Sequence, residues 1–356
     1  MPIVVMLCRI LLMPLFMLLF QGCATTTPQQ QAVLYPPLPE KPRLQFLTSI
    51  SSVDDLVDAG SKLDDFLLGG RETDRTMGRP YAVHGVQGRI YLTDRVSNDI
   101  LEIDLQKRRI SPLRAGGRGA LQVPSGIWVS DDGTLYIADL KRRQVVVFGP
   151  DRRFIGTLGD PAQLERPCDV AVYGDRVYVC DMMKHRVVVF DRLTGKQLLT
   201  IGKGGDKEGE LNRPTHITVD RVGNLLVNDA FNFRVQKFAP DGRFLQKIGT
   251  AGNTLGSLAR PKGMAVDGDN NLYLVDAAFE NVQIFNPEGK LLLFFGGAGD
   301  TPGSMYLPAG IAIDYHNVPF FQRFADPRFK LKYLVYVCNM AGVNKLNVYG
   351  FGDWTP

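Results

Sequence analysis

One motif returns along this chain at a nearly constant interval. A proline opens a short segment rich in small residues, and two apolar β-rich runs follow it before the next copy begins 43 to 47 residues later. The six prolines are Pro80, Pro124, Pro167, Pro214, Pro261 and Pro308. A period in the forties with several short strands per unit is typical of propeller blades, so six units predict a six-bladed ring.

Each unit contains four predicted strands, which we name a to d from the axis outwards. The sixth unit ends near residue 349 without a strand d, whereas residues 43–50, ahead of the first unit, look like a strand d without a blade. We expect residues 43–50 to pair onto the sixth blade, because this closes the ring and removes an exposed edge. The predicted fold is an all-β, six-bladed propeller of four-stranded blades.

The repeat resembles the NHL repeat. The fourth unit matches best, with these residues in place: Asp229, Asn232, Arg234, Val235 and Phe238. The resemblance covers residues 42–351 and implies a six-bladed propeller, but relatives with this repeat include interaction scaffolds, sensor domains and lyases. The sixth unit departs most, since Asn339 replaces the recurrent aspartate and residues 315–332 are inserted between strands a and b.

The first 22 residues predict a signal peptide. The apolar run from residue 10 to residue 20 is short for a bilayer span but suits the hydrophobic region of a signal peptide. It ends in Phe20-Gln21-Gly22-Cys23, which resembles a bacterial lipobox. The resemblance implies a lipoprotein with the lipid on Cys23. A plain secretory peptide with an incidental cysteine is the alternative.

The segment after Cys23 predicts a tether, residues 23–41, because its threonine, glutamine and proline residues cannot bury a core. Ala24 stands where an aspartate would resemble an inner-membrane retention signal, so an outer-membrane anchor is expected. The propeller would then occupy residues 42–356 and face the periplasm, with exposure at the cell surface left open.

Five units carry an aspartate at the end of strand b: Asp94, Asp139, Asp181, Asp229 and Asp276. A carboxylate there invites a metal-binding interpretation. However, a residue that recurs in every unit generally builds the unit. We therefore predict that these side chains accept hydrogen bonds from loop amides.

The position two residues after each proline, where strand a nears the axis, is more informative. It holds Ala82, Gly126, Asp169, His216, Gly263 and Gly310. Asp169 and His216 are the exceptions among small residues, and Cys180 ends the neighbouring strand b. These three are candidate ligands for a divalent metal, and His216 with Asp169 is a candidate catalytic base with its orienting group. The alternative is a hydrogen-bonded polar pair that lines the channel.

Cysteine pairing stays open at this stage. Cys168 and Cys180 are expected on paired strands of one blade, and an oxidising periplasm would permit a disulfide between them. Whether their side chains face each other depends on the strand register. Cys338 is left over in either case.

The predicted b–c loops carry apolar side chains on one face of the ring: Met182, Met183, Phe231, Phe233 and Phe279. Exposed apolar residues on neighbouring loops are typical of a recognition patch, which Asp169 and His216 would extend towards the axis. Folding back between blades is the alternative. The aromatic and basic insertion 315–332 should lie on the other face, either as a membrane or partner contact or as a helical flap packed under the propeller.

Composition excludes several function classes. A formal net charge of +4 is too mild to predict nucleic-acid binding, and the chain has no haem-attachment, Walker or nucleophile-elbow motif. No cofactor is predicted. We expect a monomeric, anchored scaffold that binds an envelope protein or an extended peptide or glycan. The alternatives are a lyase-like or hydrolase-like enzyme at the channel mouth, which the sequence favours less, and an envelope sensor or assembly factor.

Overall fold

The structure, a computed structural model, describes residues 32–56 and 76–355. The predicted signal peptide and residues 23–31 of the predicted tether, including Cys23, lie outside these residues. Two strands precede the first repeat, β1 (Leu34–Tyr35) and β2 (Leu44–Ile50), and a short 3-10 turn follows at Val53–Leu56.

Blades one to three are antiparallel sheets whose strands follow the chain from the axis outwards. Blade one contains β3 (Pro80–Val86), β4 (Arg89–Asp94), β5 (Asp99–Asp104) and β6 (Arg109–Pro112). Blade two contains β7 (Pro124–Val129), β8 (Leu135–Asp139), β9 (Gln144–Phe148) and β10 (Phe154–Leu158). Blade three contains β11 (Pro167–Tyr173), β12 (Arg176–Asp181), β13 (Arg186–Asp191) and β14 (Gln197–Ile201).

Blades four and five repeat this order, and blade six draws on both ends of the chain. Blade four contains β15 (His216–Val219), β16 (Leu225–Asp229), β17 (Arg234–Phe238) and β18 (Phe244–Ile248). Blade five contains β19 (Pro261–Val266), β20 (Leu272–Asp276), β21 (Asn281–Phe285) and β22 (Leu291–Gly296). Blade six begins with β23 (Pro308–Asp314), β24 (Phe329–Asn339) and β25 (Leu346–Trp354).

The N-terminal strand β2 closes the ring, as predicted. It pairs antiparallel with β25, with Leu44 opposite Phe351 and Ile50 opposite Leu346. The sheet order of blade six is β1-β2-β25-β24-β23, so β2 supplies the missing strand d. The predicted fold class, an all-β six-bladed propeller, is confirmed.

The propeller takes up more of the N-terminal segment than the sequence predicts. Strand β1 lies inside the segment expected to be a tether, yet it pairs with β2 as a fifth strand. The Tyr35 ring lies 6.0 Å from the ring of Phe295 and 6.4 Å from that of Tyr349, measured between centroids. The prediction that the folded part starts at residue 42 is therefore wrong, because this aromatic contact orders the chain from Leu34 onwards.

The insertion in blade six is a helical flap. A short helix α1 (Val318–Phe321) runs into a 3-10 turn, Gln322–Phe324, and Phe321 is buried 6.2 Å from the ring of Tyr336. Gln45 of β2 holds the flap, since its Nε2 donates to Phe324 O and its Oε1 accepts from Asp326 N. The predicted end at residue 332 is too late, because β24 already begins at Phe329.

The recurrent aspartates hold the loops, as predicted. Asp139 accepts bonds from the amides of Gln122, Val123, Lys141 and Arg142 at 2.7 to 3.1 Å, so one carboxylate fixes both the d–a connection and the b–c loop. In blade six Asn339 takes the place of the aspartate, and its Oδ1 accepts a hydrogen bond from Tyr306 N in the d–a connection. A buried carboxylate saturated by amides explains why the repeat needs an acid here.

The hydrophobic core lies between successive blades. One cluster joins Val145 and Val147 of β9 to Val179 of β12 and Phe190 of β13, and all four side chains are buried. Burying a side chain of this size stabilises the fold by roughly 1.5–3 kcal/mol. Within the described ranges, no helix is long and apolar enough to cross a membrane.

Candidate functional site

The two ends of the channel lie on different faces of the ring. Every strand a begins beside the b–c loops and the d–a connections, which together form the loop face. Each strand a then runs to the opposite face, where the a–b hairpins lie. At the loop face the inner strands nearly touch: a Cβ added to Gly310 would lie 2.5 Å from Tyr81 O, and one added to Gly263 would lie 2.5 Å from Ala309 O. This close approach explains the small residues near the axis.

Two aromatic rings meet across the loop-face mouth. Tyr81 of blade one and His216 of blade four belong to opposite blades, and their rings stack with centroids 5.6 Å apart at 30°. The Arg95 guanidinium lies 4.0 Å over the Tyr81 ring and donates from Nη2 to Ser125 Oγ. Below the stack, a cavity of about 130 Å³ runs between the inner strands. The stack therefore covers this end of the channel.

His216 is held through its neighbour in the chain. Its Nδ1 lies 3.1 Å from Thr215 Oγ1, which also accepts a bond from Asn228 Nδ2. The Thr215 hydroxyl can donate one bond and accept two, so it can pair with Nδ1 in either imidazole tautomer, and the second ring nitrogen is Nε2. That Nε2 is buried and has no hydrogen-bond partner among the described residues. Burial, with the charges of Lys262 and Arg95, lowers the pKa of His216 to about 3.

Asp169 bonds to backbone rather than to His216. Its Oδ2 accepts from Ile217 N of blade four at 2.9 Å, and its Oδ1 accepts from Val170 N at 3.0 Å. The role predicted for it, orienting His216, is therefore wrong for this geometry, because Thr215 takes that position. Burial raises the pKa of the Asp169 carboxyl to about 7. Both residues line the channel, but each is bonded separately.

The Cys180 side chain does not line the channel with Asp169 and His216. It is fully buried in the core between blades three and four, and burial raises the pKa of its thiol well above the usual value. Cys168 donates from Sγ to Cys180 O, and both are free thiols, as is Cys338. The described part of the chain brings no three His, Cys, Asp or Glu side chains close enough to hold a metal ion.

The loop-face mouth is electropositive. Arg95 and the half-buried Lys262 form no ion pair with a described carboxylate, and the Arg95 Nε is buried without a partner. Burial, together with the charges of Arg260 and Arg95, lowers the pKa of Lys262. An arginine also precedes the strand-opening proline in four blades: Arg79, Arg166, Arg213 and Arg260. This recurring basic position is visible in the sequence as part of the repeat motif.

The predicted apolar patch surrounds this mouth, and its members differ in exposure. Phe231 is 55% exposed, and Met183 and Phe233 are exposed to a smaller extent. Met182 and Phe279 are partly buried. Met182 also packs against the core between blades three and four. The exposed part of the patch is thus concentrated on the loops of blades three and four.

A larger cavity opens at the opposite end of the channel, on the face where the sequence analysis placed the insertion 315–332 but no cavity. Its volume is about 570 Å³, and its lining includes His84, Trp128, Tyr173, Tyr315 and His316. These residues come from four blades and share no motif, so only the folded ring brings them together. No feature of the repeat pattern indicated this cavity.

Residues 159–235, which run from the connection before blade three into blade four, match a protein family described as a 6-bladed beta-propeller. The chain is a six-bladed propeller. Short segments also match two curated proteins: 57 residues are 46% identical to Protein lin-41 of Caenorhabditis elegans, and 50 residues are 44% identical to the E3 ubiquitin-protein ligase TRIM71 of Rattus norvegicus. These segments are 16% and 14% of this chain but only 5% and 6% of those proteins, and they are consistent with NHL-type repeats.

Solved structures share the propeller architecture at low sequence identity. A streptogramin B lyase structure has a TM-score of 0.54 and 15% identity, and the match covers 77% of this chain and 83% of the lyase chain. A structural genomics protein of unknown function from Bacteroides thetaiotaomicron has a TM-score of 0.56 and 17% identity. That match covers 78% of this chain and 71% of the other chain. At these identities the likeness shows the fold alone.

Proposed function

We propose that this propeller is a lipid-anchored binding scaffold of the bacterial envelope, and that its loop face holds an envelope protein through an acidic segment. Cys23 carries the anchor in this proposal, and the ring works as a monomer on the periplasmic side of the outer membrane. The lipobox pattern supports the anchor, and a propeller fold is typical of scaffolds.

The observation that carries the binding proposal is two cations without a described carboxylate partner beside an unbonded buried ring nitrogen at the loop-face mouth. Arg95 and Lys262 have no described carboxylate partner, and His216 Nε2 is a buried polar atom without a bond. Buried polar groups in proteins are normally paired, so a group left unpaired beside a mouth is suited to a ligand. With two cations beside it, that ligand is best an anionic side chain.

The exposed apolar side chains supply the contact area that charges alone lack. Phe231 and Met183 flank the same face, and the Arg213 guanidinium lies 5.1 Å from the Phe231 ring centroid. Aromatic residues, methionine and arginine are enriched in the buried cores of protein interfaces. A partner segment that alternates acidic and apolar residues would engage both features.

Catalysis has less support from the geometry. A histidine with a pKa of about 3 is a weak base at neutral pH, and both oxygens of Asp169 already accept backbone bonds. The Cys180 thiol is buried in the core with a raised pKa, so it is a poor nucleophile. We therefore propose binding rather than turnover.

Binding of hexaglutamate to the purified full-length protein tests the loop-face site. We expect Lys262→Gln to weaken this binding by about tenfold, because it removes one of two cations beside a partly desolvated site. Lys290→Gln, an exposed lysine in a c–d turn of the opposite face, is the matched control and should bind like the wild type. Unchanged affinity in Lys262→Gln, or equal binding of hexalysine, would contradict the proposal.

Membrane fractionation tests the anchor separately. Cys23→Ser removes the thiol that would carry the lipid, so the protein should move from the membrane fraction to the soluble fraction of the envelope. A membrane-extracting detergent should release the wild type and leave the variant unaffected. Retention of Cys23→Ser in the membrane would refute lipid anchoring at this position while leaving the hexaglutamate result standing.

A further inference from the structure

The cavity at the opposite mouth is large enough for a ligand of its own. Its volume of about 570 Å³ lies within the range of small-molecule sites, roughly 300–1,000 Å³. It is lined by the ends of the inner strands of blades one, two, three and six. Because those strand ends belong to the rigid ring, the cavity exists before any ligand arrives.

Tyr173 on its wall is exposed but fixed. Although 42% of its surface is exposed, its hydroxyl donates to Arg221 O at 3.1 Å. Its ring lies against Gly223, where the backbone has φ +87° and an added Cβ would stand 2.8 Å from Tyr173 Cε1. The chain therefore uses a glycine with a positive φ to seat this ring.

Two further aromatic rings are held in the same way. Tyr315 is 44% exposed, its hydroxyl accepts a bond from Gly268 N at 2.7 Å, and its ring centroid lies 5.0 Å from that of Tyr333. Trp128 is half-buried, with its ring 4.9 Å from the His84 ring. Three aromatic side chains around one mouth thus have fixed orientations, so a ligand stacking on them loses little side-chain entropy.

The polar groups of this cavity are mostly neutral and can both donate and accept. Ser130 Oγ is buried without a hydrogen-bond partner. His84 has no described hydrogen bond from its ring, and burial with the charge of His316 lowers its pKa to about 4, so its imidazole is neutral at pH 7. At the rim, the Asp132 carboxylate forms an ion pair with the Arg192 guanidinium at 3.0 Å, which neutralises its charge.

This combination selects a ligand class. An anion would meet the rim carboxylate of Asp131, which forms no ion pair with a described residue, and a wholly apolar ligand would leave Ser130 Oγ unpaired. A sugar offers hydroxyls for the serine and histidine and a C–H face for the aromatic rings. We propose that the opposite mouth binds a neutral carbohydrate. The proposal uses residues other than those of the loop face and does not depend on the acidic partner.

Tryptophan fluorescence of the full-length protein tests this site, because the chain has two tryptophans and only Trp128 lines the cavity. Chitotriose, cellotriose and maltotriose are titrated separately, with trialanine as the peptide arm. We expect a saturable change with at least one trisaccharide, lost in Trp128→Phe, and none with trialanine. No saturable change with any of the three sugars, or a change only with trialanine, would overturn the proposal.

Three variants, measured by calorimetry with the sugar that binds, separate a direct role from a folding defect. Tyr173→Ala should weaken binding by about tenfold, since it removes a stacking surface, whereas Tyr173→Phe keeps the ring and should lose less. Tyr306→Ala is the matched control, because Tyr306 is an exposed tyrosine on the loop face and its loss should leave affinity unchanged. Equal losses in Tyr173→Ala and Tyr306→Ala would refute the assignment, while the hexaglutamate test of the loop face would stand.

Discussion

The two mouths of one channel are built from the same six inner strands, yet their side chains differ in charge, exposure and packing. At the loop face, Tyr81 stacks on His216 across the axis, and Arg95 and Lys262 lie beside them without described carboxylate partners. At the opposite face, fixed aromatic rings and neutral polar groups surround a much larger opening. The difference shows that the start and the end of an inner strand carry unrelated chemistry, so we expect the two mouths to bind different ligands.

The largest expected effect concerns how carboxylates are used at the two faces. Asp139, beside the loop face, is buried and accepts four amide bonds, whereas Asp132 at the opposite rim is exposed and pairs with Arg192. Asp139→Ala leaves those buried amides unpaired and should lower the free energy of unfolding by about 3 kcal/mol. Asp132→Ala removes an exposed ion pair and one acceptor for Thr134 N, and should cost about 1 kcal/mol. Urea unfolding measures both.

Asp139→Asn sharpens this result, because an amide keeps one acceptor oxygen and should give an intermediate loss. Similar losses in Asp132→Ala and Asp139→Ala would mean that the opposite rim is as structural as the loop anchors. The contrast between the two mouths would fail at that point.

The sequence was sufficient for the architecture because the repeat encodes it. Six prolines at a near-constant spacing specify six blades. Residues 43–50 form a strand outside the six units, and the sixth unit lacks its outer strand, so the two were predicted to pair. The loop role of Asp139 also followed from repetition. These features depend on local sequence and on counting, and neither needs side-chain directions.

The site was harder to predict because its contacts cross blades. Asp169 bonds to Ile217 N on the next blade, and a register shift between Pro167 and Asp169 sets its direction. The opposite cavity was missed altogether, since its aromatic lining comes from blades far apart in the chain. Strand β1 was missed because its only signal is one tyrosine, Tyr35, among prolines.

The smallest expected effect is a pH dependence confined to the loop face. Burial raises the pKa of Asp169 to about 7, so this carboxyl is mostly neutral at pH 6 and mostly charged at pH 8. The side chains of His216 and Tyr81 nearby stay neutral over this range, because burial lowers the pKa of the imidazole and raises that of the phenol. Lys262, whose pKa is lowered, and Arg95 supply the positive charge of the mouth.

A negative charge on Asp169 beside those cations weakens the attraction for an anion, so sulfate affinity should rise roughly threefold from pH 8 to pH 6. Sulfate is the probe because its own charge is constant over this range. Asp169→Asn should bind sulfate at pH 8 as the wild type does at pH 6, with no dependence on pH between them. An affinity that falls on acidification, or a dependence that persists in Asp169→Asn, would mean that another group controls the mouth. The Asp169 carboxylate would then have only a structural role, as the acceptor of the Ile217 N bond that joins blades three and four.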